Sequence, residues 1–175
     1  MASQDIVAAV QRTEHILSQR PSAAVRTDSP ALARWIGGMQ VETGGGDGDN
    51  ILTDVPAALG GDGVGVTPGW LARAALASCT VSCIALAAAR AGIELERLEA
   101  ETRSRSDVRG VLGLASPSGP VDPGPSDVEL IVRIAAPGVS AERLRTLATD
   151  TQALSPLMSL FTRATPVQLS IETDA

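Results

Sequence analysis

An α+β fold, with a curved and mostly antiparallel sheet over one long buried helix, is predicted by three features of this sequence. The stretch Thr67 to Ala91, TPGWLARAALASCTVSCIALAAARA, is apolar on every side, with no charge between Arg73 and Arg90. Such a helix must be buried in protein or in lipid. Its uncharged run falls short of the ~20 residues that cross a bilayer, so a core helix is expected. Val128 to Ala135, VELIVRIA, alternates as a strand with one face buried does. The elements run helix, strands, long helix, strands, helix, strand, which is an α+β order.

Each element has its local cause. Asp5 to Arg20 carries Ile6, Val10, Thr13 and Leu17 at helical spacing, with Val7 and Ile16 beside them. Ser3 is its candidate cap and Pro21 its stop. This amphipathic helix is expected as an N-terminal extension over residues 1–22, lying on its own domain or on a partner, with a single domain over 23–175. Ala24 to Arg26 suggests a short strand. Leu32 to Glu42 reads as one strand, and Ile51 to Val55 as its return across the turn GGGDGDN (Gly44 to Asn50). That turn lacks the Lys and Ser/Thr of a phosphate-binding loop, and no helix follows it directly. Ala57 to Val66 is a glycine-rich connector whose backbone can pass close to the helix start. Thr67 caps the central helix, Pro68 fills its first turn and Gly92 ends it. Leu98 to Asp107 is expected as a strand and Leu112 to Ser126 as a loop rich in Pro, Gly and Ser. Ser140 to Ala153 shows a helical face of Leu144, Leu147 and Thr151. Leu157 to Thr162 adds a short helical turn after Pro156, and Val167 to Glu172 closes as a strand.

Composition narrows the function. The chain has 175 residues, 44% hydrophobic but only 2% aromatic, and a net charge of −6. The absence of a basic patch and the scarcity of stacking aromatics argue against nucleic acid and anionic membrane as partners. One histidine, His15, and two cysteines, Cys79 and Cys83, do not make a zinc site of the usual ligand count, and no cofactor motif is present. Two cysteines and no secretory hydrophobic stretch point to a reducing cytoplasm.

The segment GGDGVGVTPGWLARAALASC (Gly60 to Cys79), the strands and helix that follow, Leu154-Ser155-Pro156-Leu157, and TPVQLSIE (Thr165 to Glu172) resemble the OsmC/Ohr family of osmotically inducible and organic hydroperoxide resistance proteins. The resemblance covers roughly residues 26–172. It implies an intertwined homodimer, each subunit pairing a curved antiparallel sheet with a long central helix. It also implies thiol-dependent reduction of organic hydroperoxides, with a separate thiol reductant. Cys79 falls on the family's peroxide-attacking cysteine. Ser155 falls where the family has its resolving cysteine, and Gly69 where it has a glutamate at the helix start. Arg34 is the best match to the family's assisting arginine, and Arg26 the second.

A peroxide-attacking sulfur must be a thiolate, and a free cysteine has a pKa of ~8.5. Cys79 lies several turns inside its helix, beyond the reach of the helix dipole. On that helix Arg73 projects ~120° away and Arg90 lies ~16 Å along the axis. Activation therefore calls for an arginine from elsewhere, which makes Arg34 a candidate. Cys83, one turn on, is a candidate resolving thiol or a core residue. Cβ atoms four residues apart on a helix are ~5–6 Å apart, and a disulfide needs ~3.5–4.5 Å, so closure would distort the helix. Three functions remain: a thiol peroxidase using Cys79, a binding homodimer for a small hydrophobic ligand, and an interaction protein docking through its N-terminal helix.

Overall fold

The computed structural model describes residues 3–45, 48 and 50–173. Five helices, α1 (Ser3–Gln19), α2 (Pro68–Arg90), α3 (Val108–Val111), α4 (Ala141–Gln152) and α5 (Pro156–Thr162), combine with seven strands. The strands are β1 (Leu32–Gly37), β2 (Gln40–Gly44), β3 (Ile51–Thr53), β4 (Arg97–Arg105), β5 (Ala115–Ser116), β6 (Gly119–Pro120) and β7 (Ser126–Ala135). All strand pairs are antiparallel. They form a three-stranded sheet β1-β2-β3, a two-stranded sheet β4-β7 and the small ribbon β5-β6. The mixed α+β class expected from the sequence is what the chain adopts.

The central helix forms as its sequence dictates. The Thr67 hydroxyl accepts the Trp70 N–H, and Pro68 sits where its missing N–H costs nothing. At the other end Gly92 takes a positive φ of 65°. Its N–H reaches Ala89 O while Ile93 N–H reaches Ala88 O, a hydrogen-bonded C-terminal cap that needs that left-handed glycine. α2 packs on α1, β4, α4 and α5. Leu76, Thr80, Ile84, Ala88 and Ala89 form its buried stripe. By length and composition the helix could cross a membrane, yet within this fold it is the element on which the others pack.

Its opposite stripe is open. Ala72, Ala75, Ser78, Ser82 and Leu86 recur at helical spacing and are exposed, so the chain by itself covers only part of a helix that is apolar all round. The sheet β1-β2-β3 is equally open: Leu32, Trp35 and Ile36 of β1 are exposed, Trp35 to 69%. The chain presents 13022 Å² to solvent, whereas a folded monomer of 17.9 kDa should present about 8,000 Å².

Four sequence expectations need correction. Ala24 to Arg26 is not a strand; Pro21–Ala24 is a 3-10 turn, which the fixed φ of Pro21 starts. Leu32 to Glu42 is two strands, because Gly37 and Gly38 take φ of 135° and 54° and fold the chain back on itself. The second hairpin, β2-β3, is as expected, although Gly46, Asp47 and Asp49 of its turn lie outside the described residues, as does the side chain of Ser3. The loop 112–126 holds the ribbon β5-β6. Val167 to Glu172 forms no strand in the described chain. Val167, Leu169 and Ile171 are 90%, 80% and 76% exposed, a β-like segment without a neighbouring strand to pair with.

Candidate functional site

The site forms where α2 meets the start of α5. The run Leu154-Ser155-Pro156 stops α4 and starts α5: Ser155 caps it, its hydroxyl accepting the Met158 N–H, and Pro156 fills the first helical position. That cap is 1% exposed and lies against the middle of α2. There Ser155 Oγ is 3.5 Å from Cys79 Sγ. Met158 N–H occupies one lone pair of the hydroxyl, which leaves its single proton free for the sulfur.

Cys79 and Cys83 are both half-buried, and neither is in a disulfide. Burial pushes the Cys79 thiol up, while the Ser155 hydroxyl hydrogen-bonded to its sulfur, with the Leu157 backbone N–H and the Cys83 thiol beside it, pulls the other way. Together they hold it below the ordinary thiol value. Cys83 is pushed the other way, first by burial, then by the negative charge on Cys79 and by its own hydrogen bond to it. Two like groups one turn apart are thus driven apart in acidity, Cys79 toward the more acidic side and Cys83 toward the less acidic.

The arginines take other places. Arg34, on β1, stands opposite Glu42 of β2 and lines a pocket with Leu32, Glu42, Gly44, Gly45 and Asn50, to which α2 contributes nothing. Arg34 and Cys79 are therefore not brought together within one chain. Arg26 is exposed outside any element. Arg73 donates to Ser104 of β4, and Arg90 pairs with Glu14 of α1 at 2.5 Å. Gly69 leaves room at the helix start, and a side chain there would point toward Arg73. Among the described residues no group of three or more His, Cys, Asp or Glu side chains is placed to hold a metal ion.

Sequence reasoning missed Asp54 and the acid-setting role of Ser155. Asp54 is buried, and its carboxylate accepts the N–H groups of Val55, Asp62 and Val64 at 2.7, 3.0 and 3.2 Å. Burial pushes its pKa up, and these N–H groups with that of Gly63 outweigh it and hold it low. The connector folds over this carboxylate. A Cβ on Gly61 would collide with Val55 O, and one on Gly65 would lie 2.6 Å from Leu52 O. The signal was present in the glycine spacing of GGDGVGV, but nothing local names the acid that those glycines approach.

These features define a class: an α+β protein with a half-buried cysteine at the middle of a long core helix, facing the turn that opens the last helix. The OsmC-like protein family profile matches residues 60–170, and the chain belongs to this family. Its fold is similar to that of an OsmC-like protein from Mycoplasma pneumoniae, at 15% identity and a TM-score of 0.64, over 78% of this chain and 89% of that one. It is similar as well to an organic hydroperoxide resistance protein OsmC from Legionella pneumophila, at 20% identity and a TM-score of 0.58, over 79% and 91%. A third likeness is to the organic hydroperoxide resistance protein OhrB of Bacillus subtilis, at 18% identity and a TM-score of 0.52, over 78% and 91%. At such identities the likeness is one of fold. Among curated proteins no sequence matches.

Proposed function

We propose that this chain is a thiol-dependent peroxidase-like protein that reduces organic hydroperoxides through Cys79, in the cytoplasm and as a homodimer. The observation that carries the reading is the Ser155 hydroxyl 3.5 Å from the Cys79 sulfur, on a thiol held below its ordinary value. Such a lowering favours the thiolate, which is the form that attacks peroxide. The thiolate attacks the distal oxygen of the hydroperoxide. A sulfur–oxygen bond forms as the oxygen–oxygen bond breaks, the sulfur becomes a sulfenic acid, and the alkoxide leaves and takes a proton from water. An organic substrate suits the apolar α5 beside the sulfur, with Leu157, Met158, Leu160 and Phe161. Relatives of the same fold bear the name organic hydroperoxide resistance protein.

The uncovered surface supports the homodimer. The open stripe of α2, the exposed face of β1 and the unpaired segment Val167 to Glu172 are apolar and lie on one chain. A second copy would cover them. Arg34 lies on the sheet β1-β2-β3 and not beside its own α2, so a second copy is the route by which a guanidinium would approach the sulfur.

The test uses cumene hydroperoxide at a small excess, followed by dimedone and intact-mass measurement. One dimedone adduct on Cys79, absent in Cys79→Ser, is expected. An unmodified protein after prolonged peroxide would leave the second reading, a homodimer that binds a small hydrophobic ligand. That reading is favoured by Gly69 and Ser155 standing where the family has a glutamate and a cysteine.

A further inference from the structure

The group facing Cys79 from α5 is a hydroxyl, Ser155 Oγ at 3.5 Å, and a hydroxyl cannot close a disulfide. The only other thiol of the chain, Cys83, lies one turn further along the same helix. Helical Cβ atoms at that spacing stay ~5–6 Å apart, too far for the ~3.5–4.5 Å of a disulfide. α2 is hydrogen-bonded through both residues and holds Thr80 and Ile84 buried between neighbouring elements, so unwinding it there would open the core. Cys79 itself is partly exposed.

We propose that Cys79 is a one-cysteine site: its oxidised sulfur is discharged by a small monothiol entering from solvent, through a mixed disulfide, and not by a second cysteine of the chain. This rests on the peroxidase reading above. The sulfenic acid formed from peroxide is attacked by the thiolate of the small thiol. A sulfur–sulfur bond forms, the sulfenic oxygen leaves as hydroxide and takes up a proton to become water. A second molecule of the small thiol then attacks its own half of the mixed disulfide. Cys79 leaves as thiolate, and the small thiol departs as its symmetrical disulfide. Two electrons pass from two small thiols to one hydroperoxide. The leaving group of the second step is the sulfur with the lowered pKa, which favours release.

Glutathione serves as the probe, with intact-mass and peptide-mass measurement on the full chain. In the first arm, one equivalent of cumene hydroperoxide and then glutathione should add one glutathionyl group at Cys79, in the parent and equally in Cys83→Ser. In the second arm, oxidised glutathione is given to the reduced protein with no peroxide; Cys79 should take one glutathionyl group, releasing one glutathione, and keep it. Loss of two hydrogens with a Cys79–Cys83 disulfide, a covalent dimer, or no adduct in either arm would overturn the inference. A persistent adduct in the second arm with no oxidation in the first leaves the one-cysteine site standing and removes the peroxidase reading. In Ser155→Cys, the same peroxide treatment should instead yield a disulfide between Cys79 and the new thiol, with glutathionyl uptake falling to background. Unchanged uptake there would show that position 155 does not govern how Cys79 is resolved.

Discussion

At the scale of single residues, hydrogen bonding within the chain holds the Cys79 pKa low. Ser155 acts twice, as the cap of α5 and as a donor to Cys79. Ser155→Ala should therefore slow alkylation of Cys79 at neutral pH by about tenfold, the weight of one hydrogen bond to a charged group at ~1.5 kcal/mol. The sign is fixed by the direction of the shift. The folded thiol lies below its ordinary value, so reactivity appears as pH rises through that lowered value. Removing the donor moves the onset to higher pH. The measurement is the rate of iodoacetamide alkylation against pH, and an unmoved profile would show that the Ser155 hydroxyl is not a donor to the sulfur. Cys83 was legible as a thiol one turn from Cys79, but its role as donor was not, because acidity depends on what surrounds each sulfur across three elements.

At the scale of elements, the path into α2 matters as much as the helix. Asp54 gathers the N–H groups of the connector, and the glycines let the backbone come close enough to be gathered. Gly65→Ala should cost about 1–3 kcal/mol, because its Cβ would press on the backbone of β3 in a packed loop. Urea unfolding reads this cost, and an unchanged midpoint would mean the connector yields freely. Within the helix, Ile84 is fully buried, and Ile84→Ala should cost about 2–5 kcal/mol as a core cavity forms. Most elements were readable in advance. The caps at Thr67 and Ser140 accept the N–H groups of Trp70 and Arg143. Leu144 and Thr151 are the buried face of α4, and β7 is a strand over the stretch expected, Val128 to Ala135. The turn at Gly37 and Gly38 was hidden, because Trp35, Ile36, Met39 and Val41 keep an apolar rhythm across it.

At the scale of the whole molecule, the large exposed surface is the leading fact. The 13022 Å² presented by the chain exceeds by about 5,000 Å² what a monomer of its mass should show. Obligate interfaces bury ~2,000–5,000 Å² counted over both partners, up to about 2,500 Å² from each chain, so a second copy would cover roughly half of that excess. Light scattering coupled to size exclusion should give twice the chain mass. Leu169→Asp with Ile171→Asp should shift it toward the monomer or drive the protein out of solution, since a charge at those positions opposes burial. A parent chain that is monomeric at micromolar concentration would refute the dimer.

The sequence by itself determined the mixed α+β class, the long helix with its caps, the strands β4 and β7, and Cys79 as the sulfur at its centre. Each of these is written in local spacing, in capping residues, or in a family pattern that runs through contiguous residues. Only the tertiary structure decided which groups touch that sulfur, that Asp54 anchors the connector, and that Arg34 stands apart from Cys79 within one chain. Those facts depend on contacts between residues far apart in the chain. Ser155 is 76 positions from Cys79, and no periodicity in the sequence encodes a meeting across that distance. The closing segment Val167 to Glu172 shows the same division: alternation gives it the chemistry of a strand, but a strand exists only where another backbone offers its hydrogen bonds.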